Sequence, residues 1–187
     1  MLSMFSHPGR SSPTKRGVAL LNIFLCAATP EPPNDVDFTS VNDANGPKTL
    51  RERLMAHANN KVCASCHVRT DPIGLSLEGF DTIGGYRTIE NGEPIDVSAT
   101  IQGHSFSGAQ GLGKYMRDNP RYPACVARRL YSYSRGVRSL TIDDFPDAYR
   151  AFENSGFRLR ALLKSMALSE SFYAAPPPAR LKEAALK

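Results

Sequence analysis

The chain has 187 residues, 41% hydrophobic and 22% charged, which is ordinary globular usage and excludes a wholly disordered or collagen-like polypeptide. No apolar run reaches the roughly 18 residues of a membrane span, and four cysteines are too few for a disulfide-dense scaffold. The net charge of +5, from 23 basic and 18 acidic residues, is too mild to imply nucleic acid as a partner.

Along the chain, Arg10, Lys15 and Arg16 precede the apolar run Val18–Cys26, and Ala27-Ala28 follow. That order has two readings. One is the basic, apolar and small-residue regions of a secretory signal. The other is a helix opened by Ser12-Pro13, with Val18, Leu21 and Leu25 on one face and Leu20 and Phe24 widening it. Leu25 before Cys26 argues against a lipoprotein-type cleavage site. Pro30, Pro32 and Pro33 break any helix and predict an extended linker, and residues 34–47 are polar and loop-like. Thr49–Ala58 has helical spacing, with Leu50, Leu54 and Ala58 on one stripe. Gly84-Gly85, Asn91-Gly92 and the short run Ile95–Thr100 predict a small hairpin-like β excursion within 84–106. From Ala109 the pattern is helical again. Val126, Leu130, Tyr133 and Val137 form one stripe; Leu159, Leu162, Leu163 and Met166 form another. Pro176-Pro177-Pro178 ends the fold and leaves a loose tail. Residues 61–113 carry 3 basic and 6 acidic side chains, and residues 114–187 carry 14 and 7. Within 121–138, Arg121, Arg128, Arg129, Arg135 and Arg138 have no acidic neighbour, which reads as a solvated helix face or as a docking surface for an acidic partner.

One motif carries chemistry. Cys63-Ala64-Ser65-Cys66-His67 is CxxCH, the attachment signature of c-type haem. Two thiols at this spacing reach the two vinyl groups on one porphyrin edge and form thioethers, and the next residue, His67, supplies an imidazole nitrogen to the iron. Other uses of a CxxC pair compete. It can be half of a zinc site, although a second pair at suitable spacing is missing. It can be a dithiol redox site, although the βαβ context is missing. It can also be two structural cysteines. Asp71-Pro72-Ile73-Gly74-Leu75 reads as a turn. A backbone carbonyl there, with Pro72 the candidate, would accept the hydrogen bond of the other His67 nitrogen and fix the ring. Leu75, Leu77, Phe80 and Ile83 read as a greasy wall or as plain core. The sixth ligand is not legible: His57 and Met55 upstream and His104 and Met116 downstream are candidates, and an open position would point to ligand binding or peroxidase-like chemistry. Cys26 and Cys125 remain. Haem thioethers are made outside the cytoplasm, where thiols oxidise, so this pair is a candidate disulfide, although spacing alone proves no proximity.

These residues and their flanks resemble the C-terminal part of planctomycete-type cytochrome c-like proteins, in which domain of unknown function 1588 is followed by domain of unknown function 1585. The stretches that carry the resemblance begin with Ser6-His7-Pro8-Gly9-Arg10 and Lys15-Arg16-Gly17. They continue through Leu50-Arg51-Glu52-Arg53-Leu54 into Cys63–His67. Asp71-Pro72-Ile73-Gly74, Leu77-Glu78-Gly79-Phe80-Asp81, Tyr86-Arg87, Pro94-Ile95-Asp96, Leu130–Gly136 and Phe157-Arg158 follow in order. The resemblance spans about residues 3–173. It implies a haem site in a secreted or periplasmic protein, makes the N-terminal run a domain helix rather than a signal, and implies that Met1 starts inside a longer protein. Thr70 stands where many relatives carry Met, so any ligand role of that Met is missing here.

The expected architecture is mainly α. A cytochrome c-like helical haem domain with a small β-hairpin insertion occupies 1–106, a C-terminal helical module 107–174 and a flexible tail 175–187. Haem c is expected on Cys63 and Cys66, with His67 as proximal iron ligand, Pro72 behind it, His57 or Met116 on the distal side, and Arg87 on a propionate. The arginines of 121–138 form the expected docking face. The expected role is one-electron transfer outside the cytoplasm, with a redox partner protein or other domains of a longer parent, no nucleic acid and no membrane span. A haem enzyme module with an open iron site is one alternative. A haem-free zinc or structural CxxC interaction module is the other.

Overall fold

The computed structural model describes residues 2–29, 47–58, 61–137 and 140–173. The expected linker at 30–33, Arg138, the 175–187 tail and the side chain of His57 lie outside the described residues. The chain is mainly helical with two small antiparallel sheets, and it divides into two units, 1–122 and 123–187.

In the first unit, α1 (Pro13–Leu25) opens where Ser12, in extended backbone, accepts the Lys15 N–H on its hydroxyl. Pro13 follows, with no N–H to leave orphaned. The buried face is Arg16, Gly17, Ala19, Leu20, Leu21 and Leu25, so Leu20, Leu21 and Leu25 of the expected face are inside while Val18 and Phe24 stay half-exposed. α2 (Leu50–His57) starts with a complete capping box between Thr49 and Glu52, and it buries Leu50 and Leu54 with Leu75. α3 (Lys61–Leu75) carries the CxxCH motif and runs through Pro72. The turn expected at 71–75 comes instead at 76–79.

α1 and α3 touch backbone to backbone. A Cβ on Gly17 would sit 2.0 Å from the Thr70 carbonyl oxygen, and one on Gly74 would sit 1.8 Å from the Pro13 carbonyl oxygen. The two helices therefore run antiparallel. Where α3 ends, Arg16, fully buried, reaches from α1 and donates to the carbonyls of Leu77 (3.1 Å), Phe80 (2.9 Å) and Asp81 (2.6 Å). Its guanidinium also meets the Glu78 carboxylate at 3.4 Å. Glu78 accepts in addition from the Ser11 hydroxyl (2.7 Å) and from Arg87 (2.9 Å).

The β excursion is two hairpins. β1 (Ile89–Glu90) pairs with β2 (Glu93–Pro94) across Asn91-Gly92, and β3 (Ser98–Ile101) pairs with β4 (His104–Ser107) across Gln102-Gly103. Both turns have positive φ at both central residues (49° and 84°; 50° and 82°), the type I′ geometry that matches strand twist. α4 (Gly108–Asp118) folds back on β4: Tyr115 stacks on Phe106 with centroids 5.1 Å apart, and Leu112 joins Leu20, Leu21, Leu25, Ile73 and Leu77 in one core. The first unit extends to Tyr122, and α4 completes its core.

The second unit contains α5 (Arg121–Arg135) from Pro123 onward. A 3-10 turn (Ile142–Asp144), α6 (Pro146–Asn154), α7 (Leu159–Leu168) and α8 (Glu170–Tyr173) follow. Its core is Ala127, Tyr131, Phe145, Ala148, Phe152, Leu162 and Met166. Tyr131 stacks on Phe145 with centroids 4.3 Å apart, and its hydroxyl pairs with that of Ser171 at 2.7 Å. The expected α5 stripe is displaced: Tyr133 is 87% exposed, whereas Cys125, Ala127 and Tyr131 are buried. Small residues at 125 and 127 admit close neighbours, and Tyr131 finds a hydroxyl partner that Tyr133 does not need in water. In α7, Leu162 and Met166 are buried while Leu159 and Leu163 are exposed.

Two sets of outcomes follow. Gly17→Ala and Gly74→Ala each drive a methyl into a backbone carbonyl, so each should lower unfolding free energy by at least about 1–3 kcal/mol in urea titrations; unchanged midpoints contradict the close approach. Burial pushes the Glu78 carboxyl above its ordinary value, against the Ser11 hydrogen bond and the pull of Arg87 and Arg16. Burial also pulls the Arg16 guanidinium down. A carboxyl whose folded pKa is raised contributes stability that is complete below its unfolded value and is lost as pH climbs through the raised one. Stability should thus fall with rising pH just above the ordinary Glu range, and Glu78→Gln should flatten that slope. The same substitution leaves Arg16 without its carboxylate and should cost about 3–5 kcal/mol, while Arg16→Met with Glu78→Leu should cost less than the sum of the two single changes.

Candidate functional site

The motif lies in the first half of α3. Cys63, Cys66 and His67 stand at i, i+3 and i+4, and so share one side of the helix. Cys63 and Cys66 are half-buried free thiols, whereas Cys26 and Cys125 are disulfide-bonded. The Nδ1 of His67 lies 2.7 Å from Oδ2 of Asp71, one turn further on. Asp71 is buried, and its Oδ1 accepts from the hydroxyls of Thr14 (2.8 Å) and Thr70 (3.2 Å). An ionised carboxylate in this position holds the proton on Nδ1 and leaves the lone pair on Nε2, the tautomer of a metal-ligating imidazole.

Asp71 therefore takes the role assigned to Pro72. The Pro72 carbonyl accepts from the Ser76 N–H at 3.2 Å, because α3 continues through it and i,i+4 spacing puts Asp71 beside His67. Arg87 is also placed differently from its expected role on a propionate. Its Nη2 binds Ser11 (3.1 Å) and Glu78 (2.9 Å), and its Nε binds the Glu78 carbonyl (3.1 Å). Met116 packs against the first core. His57 closes α2, Met55 is exposed and Ile83 is 85% exposed. Leu75 and Leu77 belong to separate buried clusters. Among the arginines of 121–138, Arg135 donates to the Ser171 carbonyl, Arg128 is half-buried, and Arg121 and Arg129 are exposed.

A cleft of about 900 Å³ opens in the first unit, within the usual range for small-molecule and cofactor sites. Its apolar wall includes Leu21, Leu25, Val68, Ile73, Ile101 and Phe106. Arg69, His104, Lys114, Asp118 and Arg121 bring charge and polarity to it. The lining of this cleft does not include Cys63, Cys66 or His67. Cys66, Arg69 and Ile73 share a stripe of α3, at i, i+3 and i+7.

Among the described residues no group of three or more His, Cys, Asp and Glu side chains converges as a metal-ligand set. A c-type haem asks for a different set, because it brings four nitrogens of its own and needs two thiols and an axial imidazole from the protein. The residues on α3 fit that demand. Asp71 is the site residue that sequence reasoning missed. The signal was present as a His and an Asp four apart on one helix, but it was hidden while 71–75 read as a turn.

Residues 1–90 match the family model described as "PSCyt3: Protein of unknown function (DUF1588)". The matched stretch contains α1, α2, α3 and the Arg16–Glu78–Arg87 cluster. No curated protein matches, and no solved structure matches. No helix among the described residues is long and apolar enough to cross a membrane.

The thiol states are directly checkable. Folded, unreduced protein made without haem-maturation machinery and treated with iodoacetamide should gain adducts at Cys63 and Cys66, and at Cys26 and Cys125 only after reduction and unfolding. Peptide mass mapping that finds Cys26 alkylated in the folded protein contradicts this assignment.

Proposed function

We propose that the chain carries a c-type haem, joined through thioethers at Cys63 and Cys66 and ligated by Nε2 of His67, and that it serves one-electron transfer outside the cytoplasm. The observation that carries this reading is the single stripe of α3. Two thiols there stay out of disulfides beside an imidazole oriented by a buried carboxylate. The CxxCH spacing supports it. So does the match of residues 1–90 to a family model whose name, PSCyt3, is cytochrome-related.

When bound, the haem supplies one-electron exchange between ferrous and ferric iron. The chain's residues do the rest. Cys63 and Cys66 fix the group in place, so no large core has to retain it. Asp71 holds the Nδ1 proton, orients the ring and raises the basicity of Nε2, which favours the ferric state. Thr14 and Thr70 hold Asp71 in turn. The disulfide-bonded state of Cys26 and Cys125 suits an oxidising compartment. Electrons are exchanged with a redox partner protein or an adjoining domain.

Protein made in a periplasm that contains haem-maturation machinery should keep the haem mass and a sharp reduced α band after denaturation. Cys63→Ser or Cys66→Ser should leave one thioether, and the double variant should lose all covalent haem. Asp71→Asn should keep the haem attached but raise the midpoint potential. Unmodified Cys63 and Cys66 in such material overturn the reading.

A further inference from the structure

We propose that the cleft of the first unit binds a small amphiphilic anion, a molecule with an alkyl or aromatic body and one anionic head. None of Cys63, Cys66 and His67 lines it, so the site goes beyond the haem reading and stands or falls separately. Its apolar part continues the core of the unit. Leu21, Leu25 and Ile73 are buried, belong to one cluster and also line the cleft. They come from the two helices that touch through Gly17 and Gly74, so this surface is preformed. Phe106 adds a flat aromatic wall, held by its stack on Tyr115 with ring planes 18° apart. Such a surface favours a ligand with an apolar body, because contact releases water from both.

The polar lining sets the charge of the head. Arg69 on α3, Lys114 on α4 and Arg121 at the start of α5 bring three cations to the cleft, against one carboxylate, Asp118. That carboxylate is already engaged, because Arg117 binds it at 2.8 Å. Among the described residues, Arg69 and Arg121 join no ion pair. An exposed arginine without a carboxylate is common. Two of them from different helices, lining one apolar surface, attract an anion more than either does alone, because low-dielectric side chains beside them weaken the screening by water. An inorganic anion gains the charges but not the apolar surface, and a neutral hydrocarbon gains the surface but not the charges.

The test is calorimetric titration of the full chain, made with and without haem maturation, with octanoate and decanoate below their micellar concentrations, decyltrimethylammonium and inorganic phosphate. Decanoate should bind saturably at one site and more tightly than octanoate, by up to about fourfold for each fully buried methylene. Decyltrimethylammonium has a similar body and the opposite charge and should bind more weakly, and phosphate should not compete. Arg69→Glu with Arg121→Glu should weaken decanoate by about tenfold at low ionic strength and remove the preference for the anionic head. The same change in net charge placed on the second unit, Arg158→Glu with Arg160→Glu, should leave the affinity unchanged. All four arginines are exposed, so near-ultraviolet circular dichroism should show both variants folded. Absence of saturable decanoate binding, or equal weakening by the two charge reversals, overturns the site. Equal affinity for the two heads in the parental chain overturns its charge selectivity. Loss of binding once haem is attached overturns its separateness from the thiols of α3, whereas unmodified Cys63 and Cys66 overturn the attachment alone.

Discussion

The backbone contact between α1 and α3 is the constraint on which the first unit depends. It exists because Gly17 and Gly74 carry no Cβ, and it brings main-chain atoms close enough that no other residue fits at either point. Such proximity creates a difficulty at the end of α3, where carbonyls without helical donors are drawn into the core. Arg16 resolves it. One guanidinium satisfies three of those carbonyls and meets Glu78. Removing this charge from water costs several kcal/mol, and its Nε has no partner among the described residues. The cluster thus contributes geometry more than net stability: it fixes where the chain turns after α3, and so how α3 is held against α1.

That placement passes directly to the chemistry. Thr14 stands one turn from Gly17 on α1, and its hydroxyl reaches Asp71, which in turn holds His67. The orientation of the imidazole is therefore set by the same helix pair that the glycines bring together. The leucines of α1 further along the pair pack with Ile73, Leu77 and Leu112 in the core of the unit. A shift of α1 along α3 would disturb the carboxylate and the ring together. A site organised this way needs few dedicated residues, which suits a covalently held cofactor.

How much of this was legible in the sequence depended on range. CxxCH is a local signal, and so were the Thr49–Glu52 capping box and the Asn91-Gly92 turn, each of which acts within a few residues. The Gln102-Gly103 turn has the same geometry, but Gln seldom adopts positive φ, so it left no clear mark. Arg16 read as part of a basic flank before an apolar run because its role lies in hydrogen bonds 61–65 residues away. The α5 stripe failed for a related reason. Apolar spacing shows which side chains tolerate burial, but which of them are buried is decided by what packs opposite. Nothing local in α4 announces that Leu112 completes a core built from α1 and α3.

The distribution of the four cysteines adds a constraint on maturation. Two are disulfide-bonded and two are free, yet all four meet the same compartment. Helical geometry places Cα atoms three residues apart at about 5 Å, inside the range of roughly 4.4–6.8 Å that a disulfide spans. Cys63 and Cys66 can therefore oxidise to each other, and that bond and the two thioethers are mutually exclusive because each consumes both sulfurs. The half-buried setting slows oxidants only in part. On the proposed reading, haem attachment requires the motif to be kept reduced until the porphyrin arrives, whereas Cys26 and Cys125, already disulfide-bonded, carry no such condition. On that reading, oxidation of Cys63 with Cys66 and delivery of the cofactor compete for the same two sulfur atoms.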